Sequence, residues 1–344
     1  ADDNGIKLFN KEGFKLPFEQ QAELEDLILN HDLSSDHIDN SLIGKAHRIE
    51  DARGRYIEFS KSAVRGKNLN GLKIILDCAN GAAYFLGPLI FKELGAEVIS
   101  IGVTPDGYNI NDGVGALHPQ KLADIVLKEK ADIGIALDGD SDRIVIVDEK
   151  GQTVNGDVLL GVLAKELKAN GKLKNDTLVC TVMSNLGMIN NMKEAGIDAV
   201  ITDVGDHNII NEMRRNDYNF GGENSGHIIF MDHVTTGDGI ITALQIMKIM
   251  LEKEKPLSDI VGTMDLYPSH LENIYIKEKK ALEDVEAIQT VLKECEAALG
   301  DKGRHLVRYS GTEKMIRILI EAESQSDVDL WIEKISAIAK AELC

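Results

Sequence analysis

Ala136-Leu137-Asp138-Gly139-Asp140-Ser141-Asp142-Arg143-Ile144 places three carboxylates at alternate positions between two apolar runs. Residues 133–137 have the composition of a buried strand and 144–147 that of a second, so the acidic residues fall in a short loop at a strand's carboxyl end. Sheets of α/β proteins bind ligands at that end. Two carboxylates about 4 Å apart repel by roughly 4 kcal/mol at an effective dielectric near 20, so three held together need a cation or must splay apart. All-oxygen donors favour magnesium over zinc, which makes Asp138, Asp140 and Asp142 the candidate metal ligands. With Glu149 they also match the spacing of an EF-hand, but Arg143 stands where that loop needs glycine, and the flanks read as strands. A merely solvated acidic turn fits less well, because apolar strands lie on both sides and an arginine closes the motif.

Working outward, a βαβ rhythm starts at Gly71, with strands over 73–76 and 97–103 and helices over 84–94 and 119–129. Together with the strands of the acidic loop this makes one α/β unit ending near Thr153. The alternation recurs downstream: helices are expected over 156–168, 187–194, 209–215 and 239–251, and strands over 177–182 and 198–203. Pro256 lies in a charged stretch that suggests a linker. From about Leu266, strands over 273–276, 305–308 and 316–321 and helices over 285–299 and 327–342 predict an α+β domain with a mostly antiparallel sheet. The stretch up to Glu58 has one helix-like segment, over 18–29, and reads as the tail of a domain that begins before Ala1.

The 344 residues exceed one ordinary core. With 57 acidic against 38 basic residues the net charge is −19, which repels nucleic acid and anionic membranes, so neither is expected as a partner. A phosphate ligand would have to be held by local arginines, helix ends and metal. Cys78, Cys180, Cys295 and Cys344 are far apart, so neither a zinc site nor a disulfide framework is indicated and a reducing cytoplasm fits best. No apolar run approaches the ~20 residues of a membrane span, and no charged-then-apolar leader opens the chain.

Two further loops carry chemistry. Gly221-Gly222-Glu223-Asn224-Ser225-Gly226-His227 presents a carboxylate, an amide, a hydroxyl and an imidazole on a tight turn, a set suited to a polyol. By itself it is as well explained as a polar loop between strands. Arg308-Tyr309-Ser310-Gly311-Thr312-Glu313-Lys314 sets a glycine between two hydroxyl residues, which suits a backbone nest around a phosphate, with Arg308 and Arg317 supplying charge. Alone it reads as an ordinary Ser-Gly turn; beside a metal loop and a polyol loop, a phosphosugar site is the better reading. Asp203-Val204-Gly205-Asp206-His207-Asn208 precedes a helix, as either an anion site or a cap formed by Asp206, and Thr235-Thr236-Gly237-Asp238-Gly239 precedes another that it could cap. No dinucleotide-binding or P-loop glycine pattern is present.

The three loops, in this order, resemble those of the α-D-phosphohexomutase superfamily over essentially the whole chain. The metal loop D-G-D-x-D-R is matched at Asp138–Arg143, the sugar loop G-E-x-S-G-H at Gly222–His227, and the phosphate loop R-x-S-G-T-E at Arg308–Glu313. Asn224 and the run from Thr235 to Gly239 resemble the phosphoglucosamine branch more than the phosphomannose or phosphoglucose branches. The resemblance implies three-layer mixed-sheet α/β domains plus a C-terminal α+β domain, with a first-domain remnant over 1–58 and further domains over 59–153, 154–264 and 265–344. It implies reversible conversion of glucosamine 6-phosphate to glucosamine 1-phosphate, feeding amino-sugar precursors of the cell wall, through a phosphoserine and a glucosamine 1,6-bisphosphate intermediate. Implied roles are Mg2+ on Asp138, Asp140 and Asp142, and sugar contacts by Glu223, Ser225 and His227. Arg308, Ser310, Gly311, Thr312 and Arg317 would grip phosphate, and Lys7 and Arg143 would assist proton transfer and charge stabilisation.

The family's nucleophilic serine precedes an N-G-I-K stretch, matched here at Asn4–Lys7, so it is expected in an N-terminal segment that comes before Ala1. Three residues depart from the pattern: Tyr309 and Lys314 where prolines are common, and His207 where arginine is usual. The rival readings are a phosphomannomutase or phosphoglucomutase, and a phosphosugar-binding protein without catalysis. Oligomeric state is left open, a homodimer included.

Overall fold

The computed structural model describes residues 7–31, 41, 43–45, 47, 49–310 and 313–344. In chain order the elements are α1 (Phe18–Asn30), α2 (Ala52–Ser62), β1 (Lys73–Asp77), α3 (Leu86–Glu93), β2 (Glu97–Ile101), α4 (Pro119–Glu129), β3 (Ile133–Leu137), β4 (Ile144–Asp148) and β5 (Thr153–Val154). Then follow α5 (Gly156–Ala169), β6 (Thr177–Thr181), α6 (Leu186–Glu194), β7 (Asp198–Thr202), α7 (Asp206–Arg215), β8 (Phe220–Gly222), β9 (Ile228–Phe230), α8 (Gly239–Lys253) and α9 (Leu257–Val261). The last are β10 (Ser269–Tyr275), α10 (Glu286–Leu299), β11 (Gly303–Tyr309), β12 (Met315–Ala322) and α11 (Gln325–Leu343). Among the described residues no helix is long and apolar enough to cross a membrane.

Contacts divide the chain into two compact units, Ala1–Val182 with Val200–Gly262, and Met183–Ala199 with Thr263–Cys344. In the first, a five-stranded sheet runs in the order β2-β1-β3-β4-β5. β1 is parallel to β2 and to β3, whereas β3 and β4 are antiparallel, so the chain reverses at the acidic loop. Every residue of β3 is buried, because the strand has a neighbour on each edge and α4 packs over it; this accounts for its unbroken apolar run. Leu122 and Val126 of α4 lie so close to Gly134 that a Cβ there would stand 2.7 Å from Val126 Cγ2. Pro119 opens α4 at a position where its missing N–H costs nothing. Asp77, fully buried at the end of β1, accepts from the N–H of Ala79 (2.9 Å) and of Gly115 (2.8 Å), so a carboxylate stands in for ladder partners where the strand ends.

A second sheet has the order β7-β6-β8-β9, with β6 parallel to β8 and β8 antiparallel to β9. Its β8–β9 hairpin carries the Glu223–Gly226 turn. In the other unit, β10-β12-β11 is a wholly antiparallel sheet on which α10 and α11 pack through Ile288, Val291, Trp331 and Ile335. The segment with α6 joins this unit through Glu321, which is almost wholly buried, accepts the N–H of Leu186 (3.1 Å) and pairs with Arg304 (2.7 Å).

Local chemistry moves several elements from where the sequence puts them. Pro256 precedes the short helix α9, just ahead of the division between the units at Gly262; as N-cap it has no amide to satisfy. The helix α2 was not anticipated, since it buries only Ile57 and Ser60 and shows little apolar periodicity. α7 starts at Asp206, with Gly205 as its N-cap at φ +127°; no side-chain bond caps it, and the carboxylate of Asp206 accepts instead from the neighbouring N–H of His207 (2.8 Å). That corrects the expected cap.

Candidate active site

The acidic loop leaves β3 at Asp138 and returns at Ile144, with Ser141 in the left-handed region at φ +65°. Asp138 folds the loop onto itself: its side chain accepts the N–H of Arg143 (3.1 Å) and its carbonyl that of Ser141 (3.1 Å). Ligand oxygens of Asp138, Asp140 and Asp142 come within 4.8 Å of one another. Burial, followed by the charges of Asp142 and Asp140, pushes Asp138 up to about 6 against the opposing N–H and guanidinium of Arg143. For Asp142 burial also acts upward, but His227 and Lys7 outweigh it and hold the carboxyl well below the usual range. The His227 Nδ1 to Asp142 separation is 3.6 Å. Lys7 bonds Asp140 and lies 3.2 Å from Asp142; burial works against its charge, yet the two carboxylates raise its pKa overall. Arg143 is half-exposed, 4.0 Å from Asp142. The loop therefore already attracts cations, one ammonium being supplied by the chain itself.

Two segments distant in sequence fix the loop. The hairpin turn after β8 pairs with it, as the N–H of Ile144 donates to Gly226 O (3.1 Å) and Arg143 bridges His227. The stretch from Thr236 to Gly239 covers its other side: the N–H of Gly239 donates to Ser141 O (2.9 Å), and a Cβ on Gly237 would stand 2.5 Å from the His227 ring. Asp238 between them is buried, caps α8 through the N–H of Ile241 (2.9 Å) and accepts the Tyr56 hydroxyl (2.8 Å). Burial pushes the carboxyl of Asp238 upward. A cleft of about 380 Å³ opens beside the loop, lined by Lys7, Lys15, Tyr56, Asp140, Asp142 and Asp238 among others. The sequence offered no sign of Tyr56, and it showed Asp238 only as a cap; an aromatic hydroxyl far from the motif carries no local signal.

Glu223 and His227 close the turn, the N–H of Glu223 donating to His227 O (2.9 Å). Glu223 is buried and already engaged: one carboxylate oxygen accepts from the N–H of Gly205 (2.8 Å) and the other from the exposed Ser225 hydroxyl (3.3 Å). His227 is buried with Nε2 unpartnered among the described residues. His207 lies beside Asp206, whose other oxygen is 3.5 Å from Lys15.

The second unit brings Arg308 and Arg317 face to face as register partners on β11 and β12. Among the described residues Arg317 Nε is buried without a partner, and Glu313 is 4.0 Å from the guanidinium. Ser310 is buried; its hydroxyl accepts the N–H of Glu313 (3.3 Å) and its carbonyl accepts Lys279 Nζ (2.6 Å). Tyr309 donates to Lys280 O (2.7 Å), and the Lys314 carbonyl accepts the N–H of Ile276 (3.0 Å). Gly311 and Thr312 lie outside the described residues. The structure thus groups Lys7, the three aspartates, Arg143, Glu223, Ser225 and His227 in one unit, and Arg308, Ser310 and Arg317 in the other.

Mixed α/β sheets bearing an acidic reversal loop and a Gly-Glu-x-Ser-Gly-His hairpin define a phosphohexomutase fold, and the comparisons agree. The descriptions "Phosphoglucomutase/phosphomannomutase, alpha/beta/alpha domain II", "alpha/beta/alpha domain III" and "C-terminal domain" match residues 54–151, 155–267 and 271–338. The chain belongs to the phosphoglucomutase/phosphomannomutase family. Within it, the chain is 47% identical to the phosphoglucosamine mutase of a Geobacter species over 99% of its own length and 76% of that protein. It is equally similar, 47%, to the phosphoglucosamine mutase of Myxococcus xanthus, covering 75% of it. A solved phosphoglucomutase/phosphomannomutase family protein from Burkholderia thailandensis shares the fold at a TM-score of 0.68 and 24% identity, over 84% of this chain and 64% of that one. The N-acetylphosphoglucosamine mutase of Aspergillus fumigatus, solved with GlcNAc-6P and magnesium, superposes at 0.66 with 20% identity, over 88% of this chain and 68% of that one.

Proposed function

We propose that this protein interconverts glucosamine 6-phosphate and glucosamine 1-phosphate, the activity named by its 47% identical relatives. The observation that carries the reading is the convergence of Asp138, Asp140 and Asp142 beside the cleft, with Lys7 on their rim. Three hard carboxylate donors with a half-exposed member fit magnesium, and Asp138, Asp140 and Asp142 would hold it. Bound there, magnesium supplies charge neutralisation for phosphoryl oxygens. Lys7, kept protonated by Asp140 and Asp142, adds positive charge and a proton at Nζ, and Arg143 adds a second cation. Glu223 and Ser225 orient the sugar hydroxyls, and His227 faces the same loop through Asp142. In the second unit Arg308, Arg317 and Ser310 bind the phosphate that is not being transferred; two arginines opposite one another across a ladder are unfavourable unless an anion joins them. In this reading the phosphoryl carrier is a serine, and turnover passes through glucosamine 1,6-bisphosphate.

A broader hexose specificity is favoured by one observation, the family description, which names glucose and mannose phosphates. Assay of the intact protein on glucosamine, glucose and mannose 6-phosphates separates the two. Magnesium-dependent turnover fastest on the amino sugar is expected; a faster rate on mannose or glucose phosphate would overturn the assignment, and binding without turnover would leave only a phosphosugar-binding role.

A further inference from the structure

A second cavity, about 60 Å³ in volume, lies in the first unit and shares no lining residue with the cleft at the metal loop. Arg65, Lys172 and Lys248 line it, together with Glu166, Asp232 and Glu252. Two of the acids are paired with cations outside this set, and the third, Asp232, is held by a neutral amide. Glu252 pairs with Lys67 (2.8 Å), Glu166 with Lys253 (2.7 Å), and Asp232 accepts the Asn219 amide (2.7 Å). Among the described residues Arg65, Lys172 and Lys248 hold no ion pair. In a chain with 57 acidic against 38 basic residues, three cations without an ion pair beside one cavity, with Asp232 as the one lining acid not paired to another cation, go against the overall charge balance.

Their mutual repulsion shows in their neighbours. Burial, then Lys172, with Arg65 and Lys67, lowers the pKa of Lys248 against the pull of Glu252. At the same cavity burial, with Arg65, Lys248 and Lys172, lowers that of His233 against Asp232. With Glu166 and Glu252 paired elsewhere, Arg65 and Lys172, both exposed, and the partly buried Lys248 outnumber the remaining Asp232, and an anion from solvent relieves that excess of positive charge most directly. About 10–15 Å³ of such space is enough for one water, so the cavity has room for several waters or one tetrahedral oxyanion. Three cations match a dianion better than a halide or a single carboxylate, and guanidinium and ammonium groups are suited to phosphate oxygens.

We propose that this cavity is a second anion site, which takes inorganic phosphate or the terminal phosphate of a monoester on Arg65, Lys172 and Lys248. It is independent of the function proposed above, since none of its residues belongs to the metal, sugar or phosphate loops.

The test is calorimetric titration of inorganic phosphate into the intact protein carrying Arg308→Ala, without magnesium, so that the loop of the second unit is weakened. Saturable phosphate binding should persist there and fall about tenfold or more when Lys172→Gln and Lys248→Gln are added, a loss of roughly 1.4 kcal/mol. Sulfate should compete and chloride at equal ionic strength should not. A matching melting temperature establishes that the variant is folded; should Lys248→Gln lower it, Arg65→Gln with Lys172→Gln replaces the pair. Absence of saturable binding in the Arg308→Ala protein, or binding unchanged by the lysine substitutions, would overturn the site.

Discussion

The acidic loop of the first unit and the arginine pair of the second hold like charges close together but relieve them differently. Around Asp138, Asp140 and Asp142 the chain supplies its own cations: Lys7 on two of the carboxylates, Arg143 at the rim and His227 behind Asp142. Across β11 and β12, Arg308 and Arg317 face one another, with Glu313 4.0 Å from Arg317, and among the described residues Arg317 Nε is left without a partner. The first arrangement suits the proposed exchange of a small divalent ion, with an ammonium already at the carboxylates. The second suits the proposed phosphate dianion, whose oxygens would complete the donors.

The largest effect should come from breaking the acidic side. Asp142→Asn removes a proposed metal ligand and the partner of both Lys7 and His227, so turnover should drop by more than the roughly 10- to 100-fold that loss of an outer-shell partner costs. Steady-state kinetics at saturating magnesium checks this; a fall within that range would make Asp142 a supporting residue. On the basic side, Arg308→Ala removes one proposed charge-assisted phosphate contact, about 1.5–3 kcal/mol, so KM should rise roughly tenfold to a hundredfold with kcat changed less. An equal fall in kcat with KM unchanged would mean that the arginine serves the transition state only.

A pH series sharpens the contrast. Asp138 titrates near 6, above its unfolded value, so between the two the folded chain binds the proton more tightly and stability declines as pH rises through that window. Protons compete with the cation for this carboxylate, so magnesium affinity should weaken by up to about tenfold per pH unit below about 6, while Asp142, held low, stays ionised. Magnesium titrations between pH 5 and 7.5 (a range chosen about the shifted value) test this; a flat profile would remove Asp138 from the ligand set. The smallest effect is expected from Tyr56→Phe, which takes a hydroxyl from buried Asp238: about 1–3 kcal/mol of stability by thermal melting, with a loosened Gly237–Gly239 cover and weaker magnesium binding. An unchanged melting temperature would show that water replaces the hydroxyl.

The two regions also differ in how far the sequence discloses them. β3 over Ile133–Leu137 and α4 over Pro119–Glu129 fall where the apolar runs and the proline put them, because local pattern and burial agree there. The clustering of the aspartates is likewise local, three residues of one turn. What could not be read is contributed from a distance. Tyr56 lies on a helix with almost no apolar stripe, and the Gly205 N–H that occupies Glu223 comes from a different loop. The cross-strand pairing of Arg308 with Arg317 depends on the register of β11 against β12, which two basic residues in separate strands do not reveal. Pro256 marks the approach to a boundary, but the short helix that intervenes is decided by the burial of Leu257 and Ile260.

The most direct measurement is calorimetric titration of magnesium into the protein with and without Asp140→Asn, a half-exposed substitution that leaves the core of the loop in place. One binding event in the parent protein and at least tenfold weaker binding in the variant, with an unchanged melting temperature, are expected. Equal magnesium affinity in the two proteins would contradict the assignment of the acidic loop as the metal site.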